Sequence, residues 1–294
     1  MPEQNNQIPK FTVFLNLVKY KLSLAVAFSA TTGYFLCNSK ISPDFFSFIP
    51  GIFLLTAGSA VLNQVTERKQ DSMMERTWKR PVVSGKITRN LAIIVLTSLL
   101  FTGSFLLLLT GLTPFSLGIL GVVLYNLIYT PLKKVTFLAI IPGALVGAIP
   151  PLIGFTSSCG ASLNNKILLF SSFMFLWQIP HFWLLLLRYG KEYQSAGFRT
   201  IYDFLTEKQI KFMILFWVFL SAASLNSLYL ISSLPGIGFP SVMIILTAIF
   251  LLFFIRSLLN TEGNQDNGHA FIIFNIYSFA LMIILIADSV LGGI

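Results

Sequence analysis

Apolar side chains fall in nine long blocks along this chain, separated by short polar connections. The blocks lie at roughly 18–38, 45–66, 90–110, 113–130, 137–157, 167–188, 209–231, 236–258 and 270–290. Each is close to or beyond the ~18–20 residues that a helix needs to cross a bilayer. None alternates apolar and polar positions in the short segments of a membrane β-barrel. The pattern predicts an all-α, polytopic membrane protein with nine transmembrane helices, residues 1–294 forming a single integral membrane domain. The polar stretch from Met1 to Gln7 has neither a signal-peptide core nor an Arg-rich amphipathic pattern, so insertion by the first block is expected.

Composition agrees, with 55% hydrophobic and only 11% charged residues, far from the soluble average. The formal net charge of +9 raises the question of a nucleic-acid partner, and its distribution answers it. Nine spans put the N-terminus and the connections at 67–89, 131–136, 189–208 and 259–269 on one side. The connections at 39–44, 111–112, 158–166 and 232–235, with the C-terminus, go to the other. Of the 20 Lys and Arg residues, only Lys40 and Lys166 fall on the second side. Positive connections stay on the cytoplasmic side or its organellar equivalent, which predicts the N-terminus there; a bacterial inner membrane is the expected location. The charge is topology plus local anion binding; the lipid bilayer is a partner, and nucleic acid is not. Cys37 and Cys159 have no metal-ligand spacing and define no disulfide framework, so they read as ordinary small helix residues.

Chemistry gathers where the second block meets the basic side. Asn63, Glu67 and Asp71 are four residues apart, so on a continuing helix successive positions turn by only about 40°. Their oxygens line one narrow stripe at the membrane edge, where lipid-facing polar groups are costly. Seven cations follow before the next block: Arg68, Lys69, Arg76, Lys79, Arg80, Lys86 and Arg89. Carboxylates in register within basic surroundings suit a hard divalent cation carrying a phosphate; a solvated helix end is the bland alternative. Deep in the sixth block, Gln178 and His181 lie three apart around Pro180, between Trp177 and Trp183. Polar groups at such depth line cavities rather than lipid.

The segment after the stripe supplies Met74, Arg76, Thr77, Arg80, Pro81, Ser84 and Gly85. With Asn63, Glu67 and Asp71 it resembles the Asn-x-x-x-Asp-x-x-x-Asp, Met-x-Arg-Thr-x-x-Arg-Pro and Ser-Gly series of UbiA-family membrane prenyltransferases. Within that family it resembles the haem O synthase branch. Tyr129-Thr-Pro-Leu-Lys-Lys-Val-Thr136, Gly147-Ala-Ile-Pro-Pro-Leu-Ile-Gly154 and Lys191-Glu-Tyr-Gln-Ser-Ala-Gly197 extend the resemblance, and Phe175-Leu-Trp-Gln-Ile-Pro-His-Phe-Trp183 is its most branch-specific part. The ordered matches cover residues 17 to about 200, with weaker likeness from Phe271 to Asp288. Two positions depart from the family: Glu67 replaces the first Asp of the motif, and Ala196 stands four residues after Glu192 where other branches have a second acid.

The resemblance implies a UbiA-type bundle around a central cavity, and transfer of a farnesyl group from farnesyl diphosphate to haem B. It implies Mg²⁺ held by Asn63, Glu67 and Asp71, with Glu192 as a further ligand or merely a partner of Lys191 and Arg188. Arg76, Arg80, Lys133 and Lys134 become candidate diphosphate donors, and Tyr129 a shield for the allylic cation. Trp177, Gln178, His181 and Trp183 become candidates for the haem or prenyl pocket, His181 either meeting the iron or held structurally by Gln178. A downstream haem A synthase is a further implied partner. The rival readings are a quinone-precursor acceptor and a haem-binding membrane protein without catalysis.

Overall fold

A computed structural model describes residues 9–231, 238–259 and 267–291. The expectations for the extreme N-terminus and for the connections at 232–235 and 260–266 lie outside the described residues. The chain folds into helices: α1 (Lys10–Leu17), α2 (Tyr20–Cys37), α3 (Phe45–Thr66), the short α4 (Arg68–Asp71), α5 (Arg89–Thr110) and α6 (Leu112–Val123). A π-helical turn (Leu124–Tyr129) continues α6 into α7 (Thr130–Leu132). Then come α8 (Ile140–Cys159), α9 (Asn165–Ser195), α10 (Glu207–Ile231), α11 (Gly238–Leu259) and α12 (Asn267–Leu291). Among the described residues, eight helices are long and apolar enough to cross a membrane. Counted as one span, the α1–α2 pair, bent by 49°, makes a ninth.

That bend sits where the sequence pattern begins the first span. α1 ends at Val18, and Lys19 takes a left-handed backbone with φ of 45°, a conformation that costs an L-residue roughly 1–2 kcal/mol. Neighbours hold it there. Gln64 Nε2 donates to the Leu17 carbonyl at 2.6 Å, and Ser23 Oγ donates to that of Val18 at 3.1 Å. Leu17 and Val18 are themselves buried against Val61, Val82 and Ala92.

Two packed groups surround the centre. In one, α2 crosses α8 so closely that a Cβ at Gly33 would overlap the Pro151 carbonyl, and one at Gly154 the Ala30 carbonyl. Small residues of this kind let membrane helices approach where no hydrophobic drive separates them from lipid. The other group joins α9 to α10, α11 and α12 through aromatic rings. The Trp177 indole stacks on Phe274 at 3.6 Å between centroids, and Phe250 stacks on Tyr277 at 4.1 Å.

The cysteine expectation is overturned. Cys37 at the end of α2 and Cys159 at the end of α8 form a disulfide, with Cα atoms 6.1 Å apart. Two cysteines 122 residues apart carry no pairing signal. The α2–α8 crossing brings them together, on the face opposite the basic connections.

Candidate active site

Helix α3 stops at Thr66. Glu67 has φ −101° and ψ 13°, outside helical values, and α4 resumes at Arg68. The four-residue register nevertheless survives, because the Glu67 amide donates to the Asn63 carbonyl at 2.9 Å and the Asp71 amide to that of Glu67 at 2.8 Å. Asn63, Glu67 and Asp71 are therefore buried, 2%, 3% and 1% exposed, and line one cavity of about 480 Å³.

A cation meets each member. Lys19 Nζ donates to Asn63 Oδ1 at 3.1 Å, Lys133 Nζ to Glu67 Oε2 at 2.8 Å, and Arg80 to Asp71 Oδ2 at 2.6 Å. Asn63 Nδ2 also donates to Glu67 Oε2 at 2.9 Å. Burial lowers the Lys133 ammonium from its ordinary pKa, and the adjacent Glu67 carboxylate opposes that shift. Glu67 Oε1 is buried with no hydrogen-bond partner among the described residues. Such an orphan carboxylate oxygen is costly unless a ligand completes it.

Aromatic rings wall the cavity beside this cluster. Tyr125 and Tyr129, both on the π-helical turn, stack at 5.7 Å, and Tyr129 lies 5.6 Å from Phe182. Lys133 Nζ stands 5.1 Å from the Tyr129 ring centroid and 5.4 Å from that of Phe198. Wide turns of this kind recur at functional sites. Here the turn brings both tyrosines to the cavity and leaves Thr130 Oγ1 donating to the Tyr125 carbonyl at 2.8 Å.

The loop after α4 and the end of α9 with the residues that follow it cover the polar end. Arg76 donates to Tyr193 Oη at 2.9 Å and lies over the Tyr189 and Tyr193 rings. Met74 packs on Ala196 and Phe198. Thr77 Oγ1 fastens the first loop by donating to the Asp71 carbonyl at 2.8 Å.

Farther in, the walls are apolar with few polar atoms. Pro150 and Pro151 have no amides to offer the carbonyls of Val146 and Gly147, and both of these residues line the cavity. Freed carbonyls inside a membrane are tolerated in such a position. Gln178 and His181 line it too, and neither makes a protein hydrogen bond among the described residues, so His181 is not held by Gln178. The His181 ring instead contacts Phe271 at 5.1 Å between centroids.

Ten of the thirteen residues singled out from the sequence line this cavity. Trp183, Lys134 and Glu192 do not. Trp183 is buried in the apolar core of the α9–α12 group, because the helical turn sends it away from the face that carries Gln178 and His181. Lys134 follows Lys133 out of the helix. Glu192 Oε2, near the end of α9, accepts the backbone N–H of Arg76 at 3.1 Å, tying the Arg76 loop to that helix instead of pairing with Lys191 or Arg188. Among the described residues no three acidic, His or Cys side chains converge, so the cluster is two acids and an amide. Lys19 and Tyr125 were not legible as site residues. Lys19 reads as one more positive residue at a span's edge, and Tyr125 as one more aromatic within a span.

A membrane bundle with buried acids and bases at the mouth of an aromatic, apolar cavity defines a class of enzyme acting on anionic, apolar-tailed substrates. The profile of the UbiA prenyltransferase family matches residues 26–279. The chain belongs to that family and is an integral membrane prenyltransferase. The protoheme IX farnesyltransferase of Geobacter sulfurreducens is 37% identical over 183 residues, covering 62% of this chain and 68% of the relative. That of Flavobacterium johnsoniae is 30% identical over 298 residues, covering 96% and 95%. Among solved structures, a chain from work on digeranylgeranylglyceryl phosphate synthase in membranes superposes with a TM-score of 0.75 at 17% identity, over 96% of this chain and 99% of that one. A UbiA homolog from Archaeoglobus fulgidus bound to GPP and Mg²⁺ superposes at 0.68 and 14% identity, over 94% and 99%. At these identities the superpositions speak for the fold.

Proposed function

We propose that this protein transfers the farnesyl group of farnesyl diphosphate to a vinyl group of haem B, giving haem O and diphosphate. The observation that carries the reading is the buried Asn63–Glu67–Asp71 set, ringed by Lys19, Arg80 and Lys133, opening onto an aromatic-walled apolar cavity. Relatives named protoheme IX farnesyltransferase along nearly the whole chain support the choice of substrates.

The allylic C–O bond breaks with its electron pair leaving on the diphosphate. Lys19, Arg80, Lys133 and Arg76 stabilise that developing charge, the guanidinium groups by paired N–H donors. Arg80 and Lys133 already sit on the two carboxylates, so an incoming diphosphate competes for ion pairs that exist. The Tyr125 and Tyr129 rings offer π faces to the allylic cation and keep water from it. The vinyl carbon of haem B adds to the cation, and water captures the resulting benzylic-type cation with loss of a proton. This leaves a hydroxyethyl farnesyl substituent. The residues present fit Mg²⁺: Asn63, Glu67 and Asp71 are hard oxygen donors, and Glu67 Oε1 has no hydrogen-bond partner among the described residues. When bound, the ion neutralises the diphosphate leaving group. The Archaeoglobus fulgidus homolog bound to GPP and Mg²⁺ supports that assignment.

Haem B occupies the deeper cavity, with the unpaired His181 and Gln178 offered to the porphyrin and Trp177 held behind them by Phe274. Glu192 acts through the Arg76 loop that it anchors. The basic face lies in the cytoplasm of a bacterial inner membrane, with the C-terminus opposite, and a haem A synthase consumes the product. The test is purified protein with haem B, farnesyl diphosphate and Mg²⁺, the haems resolved by mass. Haem O is expected. Prenylation of a quinone precursor with haem B left unmodified would overturn the acceptor.

A further inference from the structure

A second pocket, of about 560 Å³, lies between the end of α3, α4 and the start of α5 at the basic end. Its walls are Val65, Val82 and Val83, and its rim carries Arg68, Lys69 and Arg89. None of these three cations makes an ion pair, side-chain hydrogen bond or ring contact among the described residues, in contrast to Lys19, Arg80 and Lys133. Arg89 opens α5, where the Thr88 hydroxyl caps only the Leu91 amide, at 3.3 Å; the remaining first-turn amides add positive potential. Ile93, on the same side of α5 as Arg89, is exposed, and Ile94 and Phe101 continue the exposed apolar surface round the helix. Three cations without partners among the described residues, beside exposed apolar side chains, form a site for an anion that carries acyl chains.

We propose that this pocket binds the headgroup of an anionic phospholipid, whose chains enter the bilayer beside Ile93 of α5, and that the bound lipid holds α4 in place. Helix α4 has two faces. Asp71 points into the substrate cavity, while Arg68 and Lys69 line the lipid pocket. Val82, in the pocket wall, packs in the cluster that buries Leu17 and Val18 beside the Lys19 bend. A lipid bridging Arg68, Lys69 and Arg89 thus fastens the segment that carries Glu67 and Asp71 to the start of α5. The binding part stands independently of the proposed reaction, whereas the effect on turnover rests on it.

The experiment is native mass spectrometry of the full-length, delipidated protein titrated with phosphatidylglycerol, phosphatidylcholine or inorganic phosphate. Phosphatidylglycerol should be retained over phosphatidylcholine. The triple variant Arg68→Gln/Lys69→Gln/Arg89→Gln should lose retention by on the order of a hundredfold, as three headgroup-proximal cations imply. A charge-keeping Arg68→Lys/Arg89→Lys variant should hold the lipid, which separates lost binding from lost folding. Lys79→Gln/Lys86→Gln/Lys208→Gln removes as much charge elsewhere on the same face and should retain it too. Equal retention of both lipids, equal loss in the two triple variants, or displacement by inorganic phosphate at matched concentration would each overturn the proposal. Farnesyl transfer by the parent should rise when phosphatidylglycerol is added. Lipid retention without that rise would overturn only the coupling to turnover.

Discussion

At the residue scale, three side chains carry the proposed chemistry and can be tested separately. Asp71 faces Arg80 at 2.6 Å with almost no exposure. Asp71→Asn should keep the protein inserted but lower haem O formation by on the order of a hundredfold or more, in line with removing one preorganised charge from an active site. Undiminished turnover in the mass assay would exclude Asp71 from the site. Glu67→Asp restores the acid usual in the family and shortens the reach by one methylene; measurable turnover is expected, because the carboxylate still lies opposite Lys133. His181→Ala should weaken haem binding and alter the bound haem's absorption spectrum while sparing farnesyl diphosphate, since no diphosphate donor touches it. Equal loss of both ligands would make His181 a packing residue. Asn63, Glu67 and Asp71 were readable as a set because four-residue spacing is local geometry. Lys19 was not, because its role depends on a left-handed break whose stabilising partner, Gln64, is distant in sequence.

At the element scale, the acidic stripe did not require the unbroken helix that its spacing suggests. α3 ends before Glu67, and two backbone bonds carry the register across the break. The α2–α8 crossing is the joint on which the cavity depends, since both helices contribute to its wall. Gly154→Leu should destabilise the purified protein by about 1–3 kcal/mol or more, because the added side chain meets backbone that cannot yield. A thermal melt equal to that of the parent would mean the two helices separate freely. The Cys37–Cys159 bond closes a long loop at the far end of the same crossing. Reducing it should cost about 2–4 kcal/mol and lower the melting temperature. A Cys37→Ser variant should already melt at the reduced value and be insensitive to reductant.

At the scale of the whole molecule, the disulfide and the cation distribution make one joint statement. Lys and Arg crowd one face, and the disulfide lies at the other, where an oxidising compartment would keep it formed. In intact cells, a membrane-impermeant maleimide should therefore reach the exposed Cys159 after reduction. A Lys79→Cys reporter placed in a Cys37→Ser/Cys159→Ser background should react only in inverted vesicles. The reverse pattern would turn the protein over in its membrane and put the acid cluster on the wrong side for a cytoplasmic diphosphate.

Apolar runs and charge asymmetry determined the helical class and most span boundaries within a few residues, and four-residue spacing the acid stripe, because each rests on neighbours in sequence; α9 instead runs seven residues past its apolar block, to Ser195. The family motifs added which loops carry the proposed phosphate donors. What only the tertiary structure decided are relations between distant segments: Lys19 on Asn63, Lys133 on Glu67, Cys37 on Cys159, and Glu192 on the Arg76 loop. Trp183 turned to the core and His181 to the cavity although a single residue separates them. The direction of a helical side chain is set by rotation about the axis, but what it meets there is set by which helices pack alongside. In a bundle buried all round, the apolar pattern has no single face, and the choice of neighbours passes to small-residue crossings such as that of Gly33 and Gly154.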